Sequence, residues 1–172
     1  MCQALMIGRT TILLLYVMYG QVVVIKNADR GMVANLINIA ESFNKCNIAY
    51  FDGKLPIPQF DLLHSFRTFG YFHCDYEQVW FSKKLFNFSI SMTDYYDFTP
   101  KQFEDILVHE MIHYYLAYLG IDKSCSHGKE FKKMAKRLNQ TYGLNITKDL
   151  DISKYKRREG TPTISYWLSQ II

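Results

Sequence analysis

Residues 99–120 read TPKQFEDILVHEMIHYYLAYLG and carry three signals for the start of a helix. Thr99 is a favoured N-cap residue, Pro100 suits the first helical position, and Gln102 stands three residues after the cap, where it can close a capping box. The apolar residues that follow surround most of the helix circumference, and Gly120 is a natural terminator. The pattern therefore predicts a central helix over residues 100–119.

The middle of this predicted helix contains the motif His109-Glu110-Met111-Ile112-His113. Residues i and i+4 lie one turn apart on the same helix face, so both imidazoles can bind one metal ion without bending the backbone. Glu110 lies about 100° further round the helix, where it cannot be a ligand of that ion but can reach a water beside it. This arrangement indicates a zinc site with Glu110 as the general base.

A catalytic zinc ion usually has three protein ligands, so one more is needed. His127 is the first candidate because Gly120 allows the chain to turn back and because His127 stands at the predicted start of the next helix. Cys125, Asp122 and Glu130 are the alternatives. Two histidines and an acid placed in this pattern by accident would leave costly polar groups in the interior unless a metal or water satisfied them.

The rest of the chain predicts two more helices and a small sheet. Apolar residues at three- and four-residue steps predict a first helix over residues 32–46 and a third over residues 128–142. Residues 88–92 are the expected edge strand, to which a substrate peptide could add. Segments rich in Phe, Tyr and β-branched residues predict the strands of an antiparallel sheet, at residues 60–64, 68–74, 79–81 and 88–92.

The composition is that of a globular protein. Of the 172 residues, 49% are hydrophobic and 21% are charged. This balance excludes a disordered chain, a collagen-like chain and a polytopic membrane protein, and the length suits one domain with a single core. The four cysteines are far apart and form no C-x-x-C pair, which excludes a disulfide scaffold and a zinc ribbon. We expect a soluble protein in a reducing compartment.

Several motifs together resemble the SprT-like zinc metalloprotease family, to which the Spartan DNA–protein crosslink proteases belong. The resemblance covers roughly residues 32–142. The combination of motifs is more specific than the metal motif alone, which many zincins share. The motifs are HEMIH at residues 109–113, Tyr114-Tyr115, Ser126-His127-Gly128, Phe131, Phe43-Asn44 and the loop YFDGKLP at residues 50–56.

The resemblance implies an α+β, zincin-like fold, in which a small antiparallel sheet packs on helices that include the HExxH helix. It implies one zinc ion bound by His109, His113 and His127, with Glu110 as the catalytic carboxylate. The protein would then be a zinc-dependent endopeptidase, acting on DNA-associated or crosslinked proteins. Four residues are candidates for stabilising the oxyanion or orienting the histidines, namely Tyr114, Tyr115, Arg67 and Asp105.

The predicted metalloprotease domain comprises residues 31–145. Many family members carry a carboxy-terminal zinc ribbon, whereas this chain has a basic and then apolar tail over residues 146–172. Residues 1–30 are a further extension without an obvious counterpart in the family.

The apolar run of residues 12–19 in this extension is too short to cross a bilayer, which needs about 20 residues. It predicts a strand, or two strands that turn at Gly20 and join the edge of the domain's sheet. We expect no membrane span and a cytoplasmic location. The alternative is a signal or anchor in residues 1–21, although the small-x-small cleavage site is missing, and the protein would then be secreted or anchored.

Basic residues concentrate towards the carboxyl end. Residues 123–158 contain 11 Lys and Arg against 3 Asp and Glu, a local net charge of +8 in a chain whose total is +4. Such a face can bind DNA phosphates through counterion release. A non-catalytic, metal-stabilised nucleic-acid-binding module is therefore the alternative function, although a structural zinc site needs no base such as Glu110. Five basic residues share a helical stripe, namely Lys129, Lys132, Lys133, Lys136 and Arg137.

Overall fold

A computed structural model divides the chain into two compact units, Met1–Gly31 and Met32–Ile172. It describes the backbone of three strands in the first unit, within residues 4–27, and then all of residues 31–161.

The first unit contains a three-stranded antiparallel sheet. Its strands are β1 (Ala4–Met6), β2 (Ile12–Met18) and β3 (Gln21–Asn27), and β2 lies in the middle. The aliphatic and β-branched runs ILLL and VVVI favour extended backbone. The predicted strands are present, and the predicted turn residue Gly20 lies outside the described residues. The prediction that they join the sheet of the larger domain is wrong, since the described strands pair within a sheet of their own.

The second unit contains three helices, α1 (Leu36–Phe51), α2 (Pro100–Tyr118) and α3 (Lys129–Tyr142). The capping box of Thr99 and Gln102 is present at the start of α2, and Gly143 ends α3 with a left-handed backbone. The first helix starts and ends later than predicted. Asn35 and Asn38 form its capping box, and Met32 instead forms a β-bridge with Phe98.

The main sheet of this unit has three strands, β4 (Gln59–Leu63), β5 (Gly70–Val79) and β6 (Ser82–Thr93), in the order β4-β6-β5. The strand β6 is antiparallel to β5 and parallel to β4. The prediction that residues 88–92 form an edge strand is wrong, because β6 is central and β5 is an edge. Two further strands were predicted separately, at residues 68–74 and 79–81. Most of the first lies in β5, and the second covers the end of β5 and the turn that follows it.

Two short strands complete the unit, β7 (Tyr96–Asp97) and β8 (Lys156–Arg157), which pair with each other. A 3-10 helix, Ile152–Lys154, precedes β8. Gln102 also donates a hydrogen bond to the Lys154 carbonyl, so this part of the tail packs against the start of α2.

The core is centred on α2, which is flanked by the sheet and by the other two helices. Leu107, Val108, Met111 and Ile112 are completely buried. Tyr114 stacks on Phe72 of β5 and contacts Phe88 of β6. The helix α2, which carries the motif of residues 109–113 and is called the motif helix below, is therefore packed on several sides. Among the described residues, no helix is both long and apolar enough to cross a membrane.

Candidate metal centre

Three histidine side chains converge between α2 and α3. The Nε2 atom of His127 lies 2.8 Å from that of His109 and 3.2 Å from that of His113. Each residue offers one ligand atom, and these atoms all lie within 4.8 Å of one another. The structure therefore brings together the two histidines of the helical motif and the one predicted downstream.

Local turn chemistry places His127 opposite the motif. Gly120 has φ +68, which ends α2 with a left-handed residue that costs glycine little. The Asp122 carboxylate then accepts hydrogen bonds from the backbone N–H of Ser124 and from its hydroxyl, which folds the loop into a tight turn. The chain returns to α2 just before Gly128, the N-cap residue of α3.

Burial keeps the three imidazoles neutral. Desolvation, followed by the neighbouring histidines, lowers the pKa of His109 to about 3, and desolvation with His127 lowers that of His113 to about 4. Desolvation also lowers the pKa of His127. Neutral imidazole is the form that binds a metal ion, because a protonated ring nitrogen has no lone pair to donate.

Two neighbours lie against the rings. The Thr147 backbone lies beside the His109 ring and favours its protonated form, which partly offsets the effect of burial on its pKa. Phe131 of α3 lies against all three imidazoles, with ring centroids 4.5–4.8 Å from theirs. Phe131 belongs to the predicted apolar face of α3, but nothing in the sequence indicated that the Thr147 backbone lies here.

The three alternative ligands do not belong to the cluster. Asp122 accepts hydrogen bonds from serines within its own loop. The Cys125 thiol is free and lies near that of Cys74 on β5, which adds to the effect of burial in raising its pKa. Neither these two residues nor Glu130 has an atom in the group of potential ligands around the histidines, among the residues the structure describes.

The donor set fits one transition-metal ion. Ligand nitrogens 2.0–2.1 Å from a tetrahedral ion lie about 3.4 Å apart. The Nε2 atom of His127 lies at 2.8 and 3.2 Å from those of His109 and His113, near that value. The three imidazoles include no carboxylate or thiolate, and Ca²⁺ and Mg²⁺ prefer oxygen ligands. Three protein ligands also leave a coordination position for water or a substrate.

Glu110 lies next to this cluster in a dry environment. Its side chain is only 8% exposed, and desolvation raises its pKa to about 8, against a smaller opposing effect of the Phe72 backbone. Glu110 and His109 both line a cavity of about 310 Å³, together with Arg67, Gly70 and Lys148. A carboxylate that can hold or release a proton near neutral pH therefore faces a space large enough for part of a substrate.

Gly70 is a residue of this site that the sequence did not reveal. A Cβ atom at this position would lie 2.8 Å from both Cγ and Oε1 of Glu110. Glycine is therefore required because the backbone of β5 approaches the carboxylate closely. The signal could not be read from local sequence, since it depends on the contact between β5 and α2.

Gly70→Ala should consequently displace the Glu110 carboxylate and leave the histidines in place. We expect any reaction that uses the Glu110 carboxylate to slow about a hundredfold, as displacements of about 1 Å can cause, while the capacity of the three histidines to bind a metal ion stays unchanged. Steady-state kinetics and metal analysis on the same preparation measure the two effects. Normal turnover by this variant would contradict the tight approach of β5 to Glu110.

Of the four predicted auxiliary residues, only Arg67 lines the cavity beside His109 and Glu110. Tyr114 donates a hydrogen bond to the Pro56 carbonyl, and Tyr115 packs on Phe51. Asp105 accepts hydrogen bonds from Lys101 and from the Asn145 backbone. These three side chains have structural partners elsewhere.

The basic stripe lies on the outer face of α3, opposite the buried residues Phe131, Met134, Ala135 and Leu138. Lys132 and Lys136 line a second cavity, of about 300 Å³, together with Lys148. Lys148 also lines the cavity at Glu110, so the two cavities are neighbours. All five residues of the stripe are exposed, namely Lys129, Lys132, Lys133, Lys136 and Arg137.

Comparison with known proteins agrees with this geometry. The SprT-like family model matches residues 39–150, a range that contains most of α1 and all of the main sheet, the motif helix and His127. A comparison with curated proteins finds no match.

Proposed function

Because this chain belongs to the SprT-like family, we propose that it is a zinc-dependent endopeptidase whose catalytic domain comprises residues 31–145. The observation that carries this proposal is the convergence of three histidine Nε2 atoms next to a buried carboxylate. A purely structural site would have no use for Glu110 in a cavity beside the ligands.

His109, His113 and His127 would hold the ion, and their neutral state and donor type favour zinc. A zinc ion bound there would supply Lewis acidity towards the scissile carbonyl and make the attacking water more acidic. Phe131, which lies against all three imidazoles, would keep them oriented for this purpose.

Glu110 would act as the general base and then as the general acid. It accepts the proton of the attacking water and delivers it to the amine that leaves when the peptide bond breaks. Its pKa near 8 without metal is suited to the second step, and the positive charge of a bound ion lowers this pKa and favours the carboxylate needed for the first. Exclusion of water around the Glu110 side chain strengthens its electrostatic interactions with the attacking water and with the leaving amine.

An extended substrate would bind along β5. This strand is an edge of the sheet, and its Gly70 and Phe72 backbone lies beside Glu110. Main-chain hydrogen bonds to an edge strand give affinity with little dependence on sequence. We therefore propose unfolded or extended protein segments as the substrate class.

DNA is the second proposed partner, and the exposed stripe on α3 is its proposed contact. The cavity lined by Lys132, Lys136 and Lys148 places three ammonium groups next to the catalytic cavity. Proteins attached to DNA that binds there would be held close to Glu110. A non-catalytic module that binds nucleic acid remains the alternative function, and a cytoplasmic location remains a prediction.

The charge-reversal variant Lys132→Glu/Lys136→Glu tests the DNA contact. We expect the slope of log affinity against log salt concentration to become shallower by about 2. The affinity should also fall by a similar factor for every DNA sequence. Fluorescence anisotropy with a labelled oligonucleotide at several salt concentrations measures both. An unchanged slope would exclude this helix face as the DNA contact.

The decisive experiment for the proposed activity combines metal analysis with a cleavage assay. We expect one zinc per chain, cleavage of an unfolded protein, loss of cleavage on chelation and recovery when zinc is added back. A protein crosslinked to DNA serves as the second substrate. A chain that binds zinc but cleaves neither substrate would favour the binding module.

A further inference from the structure

The hairpin of β5 and β6 ends in two aromatic residues that almost nothing covers. Trp80 is 89% exposed and Phe81 is 100% exposed. They form the two-residue turn that is closed by the pairing of Val79 with Ser82. Because both rings are open to solvent, neither packs on the other or on the hairpin.

This turn is costly in two respects. Exposed Trp and Phe side chains gain nothing from burial in the fold. Trp80 also has φ +53, a left-handed backbone that hairpin turns usually assign to Gly or Asn and that a bulky residue rarely adopts. Exposure together with backbone strain is typical of a binding element.

Lysines lie directly behind the two rings. Lys123 donates hydrogen bonds to the Ser82 hydroxyl, at 3.0 Å, and to the Lys83 carbonyl, at 2.6 Å, which fixes its ammonium group beside the turn. Lys83 lies over the Tyr76 ring, 4.2 Å from the ring centroid, and Lys84 follows it on β6. The acidic residue in this part of the hairpin is Glu77, which stands opposite Lys84 in the register of the two strands. The tip is thus apolar at its end and cationic behind it.

We propose that the tip, Trp80 and Phe81 with Lys83, Lys84 and Lys123, docks onto an anionic membrane surface. The two rings would enter the interface between headgroups and acyl chains, where Trp is favoured, and the three ammonium groups would contact anionic headgroups. The order of the two kinds of side chain matches a membrane surface, because the aromatic rings project furthest and the lysines lie behind them.

The shape of the tip argues against the two other classes of partner. Nucleic-acid bases stack on aromatic rings within a basic groove that follows the backbone, whereas this turn projects outwards and its rings are separately exposed. A folded protein partner needs a complementary surface of about 800 Å² per side, which a two-residue turn does not offer. A fluid interface accommodates separate rings without such a surface.

The test uses the full chain with Trp167→Phe, which leaves Trp80 as the single tryptophan of a chain that has two. We expect its emission to shift to shorter wavelength with phosphatidylcholine vesicles that contain about one-third phosphatidylserine, and not with phosphatidylcholine alone. Replacing Lys83 or Lys84 by Glu should weaken partitioning by at least about fivefold for each lysine.

The second measurement is vesicle cosedimentation of Trp80→Ser/Phe81→Ser, in which the side chains removed are exposed and the core is unchanged. We expect partitioning to fall at least about tenfold. The matched control is Ile48→Ser/Ile57→Ser, which removes two apolar side chains that are 75% and 70% exposed and should change nothing. Neither measurement depends on metal binding or peptide cleavage.

Two results would overturn the proposal. The first is equal vesicle binding by wild type and the tip variant, which would place any membrane contact elsewhere in the chain. The second is an emission shift of Trp80 with single-stranded oligonucleotides but not with vesicles, which would make the tip a base-stacking element instead.

Discussion

Glu110→Gln is expected to reduce peptide cleavage at least 10²- to 10⁴-fold, the usual contribution of a general base, while zinc binds as in the wild type. Glutamine has the same shape but cannot accept the proton of the attacking water. The three histidines proposed to bind the ion do not include this side chain. Single-turnover kinetics on an unfolded protein, with metal analysis of the same sample, measure the two effects.

The same substitution should stabilise the metal-free protein. Burial raises the pKa of Glu110 to about 8, from an ordinary value of 4.5, so the folded state retains a proton that the unfolded state releases above pH 4.5. The free energy of unfolding of the wild type therefore falls as pH rises from about 4.5 to about 8. Glutamine does not titrate, so the stability gained by the variant should grow across this range. Urea unfolding in the presence of a chelator measures it.

Glu41→Gln is the control for both measurements, because Glu41 is exposed on α1. It should leave cleavage and pH-dependent stability unchanged. Wild-type cleavage by Glu110→Gln would show that another group is the base. Reduced stability of metal-free Glu110→Gln would show that the buried carboxyl group of Glu110 stabilises the fold instead of destabilising it.

His127→Ala is expected to have the second large effect, a loss of zinc affinity greater than about a hundredfold. Loss of groups that merely orient the ligands already costs 10- to 100-fold, and here a ligand itself is removed. Zinc raises the melting temperature of a protein according to its affinity for the folded state, so wild type should show a large increase and the variant little. Differential scanning calorimetry with and without zinc makes this comparison.

The chain provides a matched control for this substitution. His64 and His73 are exposed, lie next to Asp94 and Asp75 respectively, and do not belong to the group of candidate ligands. Alanine at either position should leave zinc affinity unchanged. Full zinc affinity of His127→Ala would mean that a neighbour such as Asp122 is the third ligand, and the proposed site would be wrong in that respect.

The sequence predicted the motif helix and the convergence of the three histidines because their signals are local. The Thr99 capping box, Gly120 and the spacing of His109 and His113 all lie within one segment. His127 could be predicted because few histidines are available and its position follows a clear chain reversal. The family match covers a range that contains all three histidines.

The parts that the sequence missed depend on contacts between distant segments. The central position of β6 follows from its pairing with β4, which no local pattern encodes. The approach of Gly70 to Glu110 and the position of Thr147 beside His109 also join elements far apart in the chain. Apolar runs in the first 30 residues predicted strands correctly but could not indicate their partners.

The strand β5 connects the candidate metal centre to the exposed tip that we propose docks onto a membrane. It has 10 residues, begins at Gly70 beside Glu110 and ends just before Trp80. At about 3.3 Å per residue, a strand of this length spans about 33 Å. If the tip at its far end were embedded in lipid headgroups, β5 would hold the scissile bond at a fixed distance of up to about 33 Å from those headgroups. Proteins lying flat on the bilayer would escape cleavage, and chains that extend away from it would be cut at that distance.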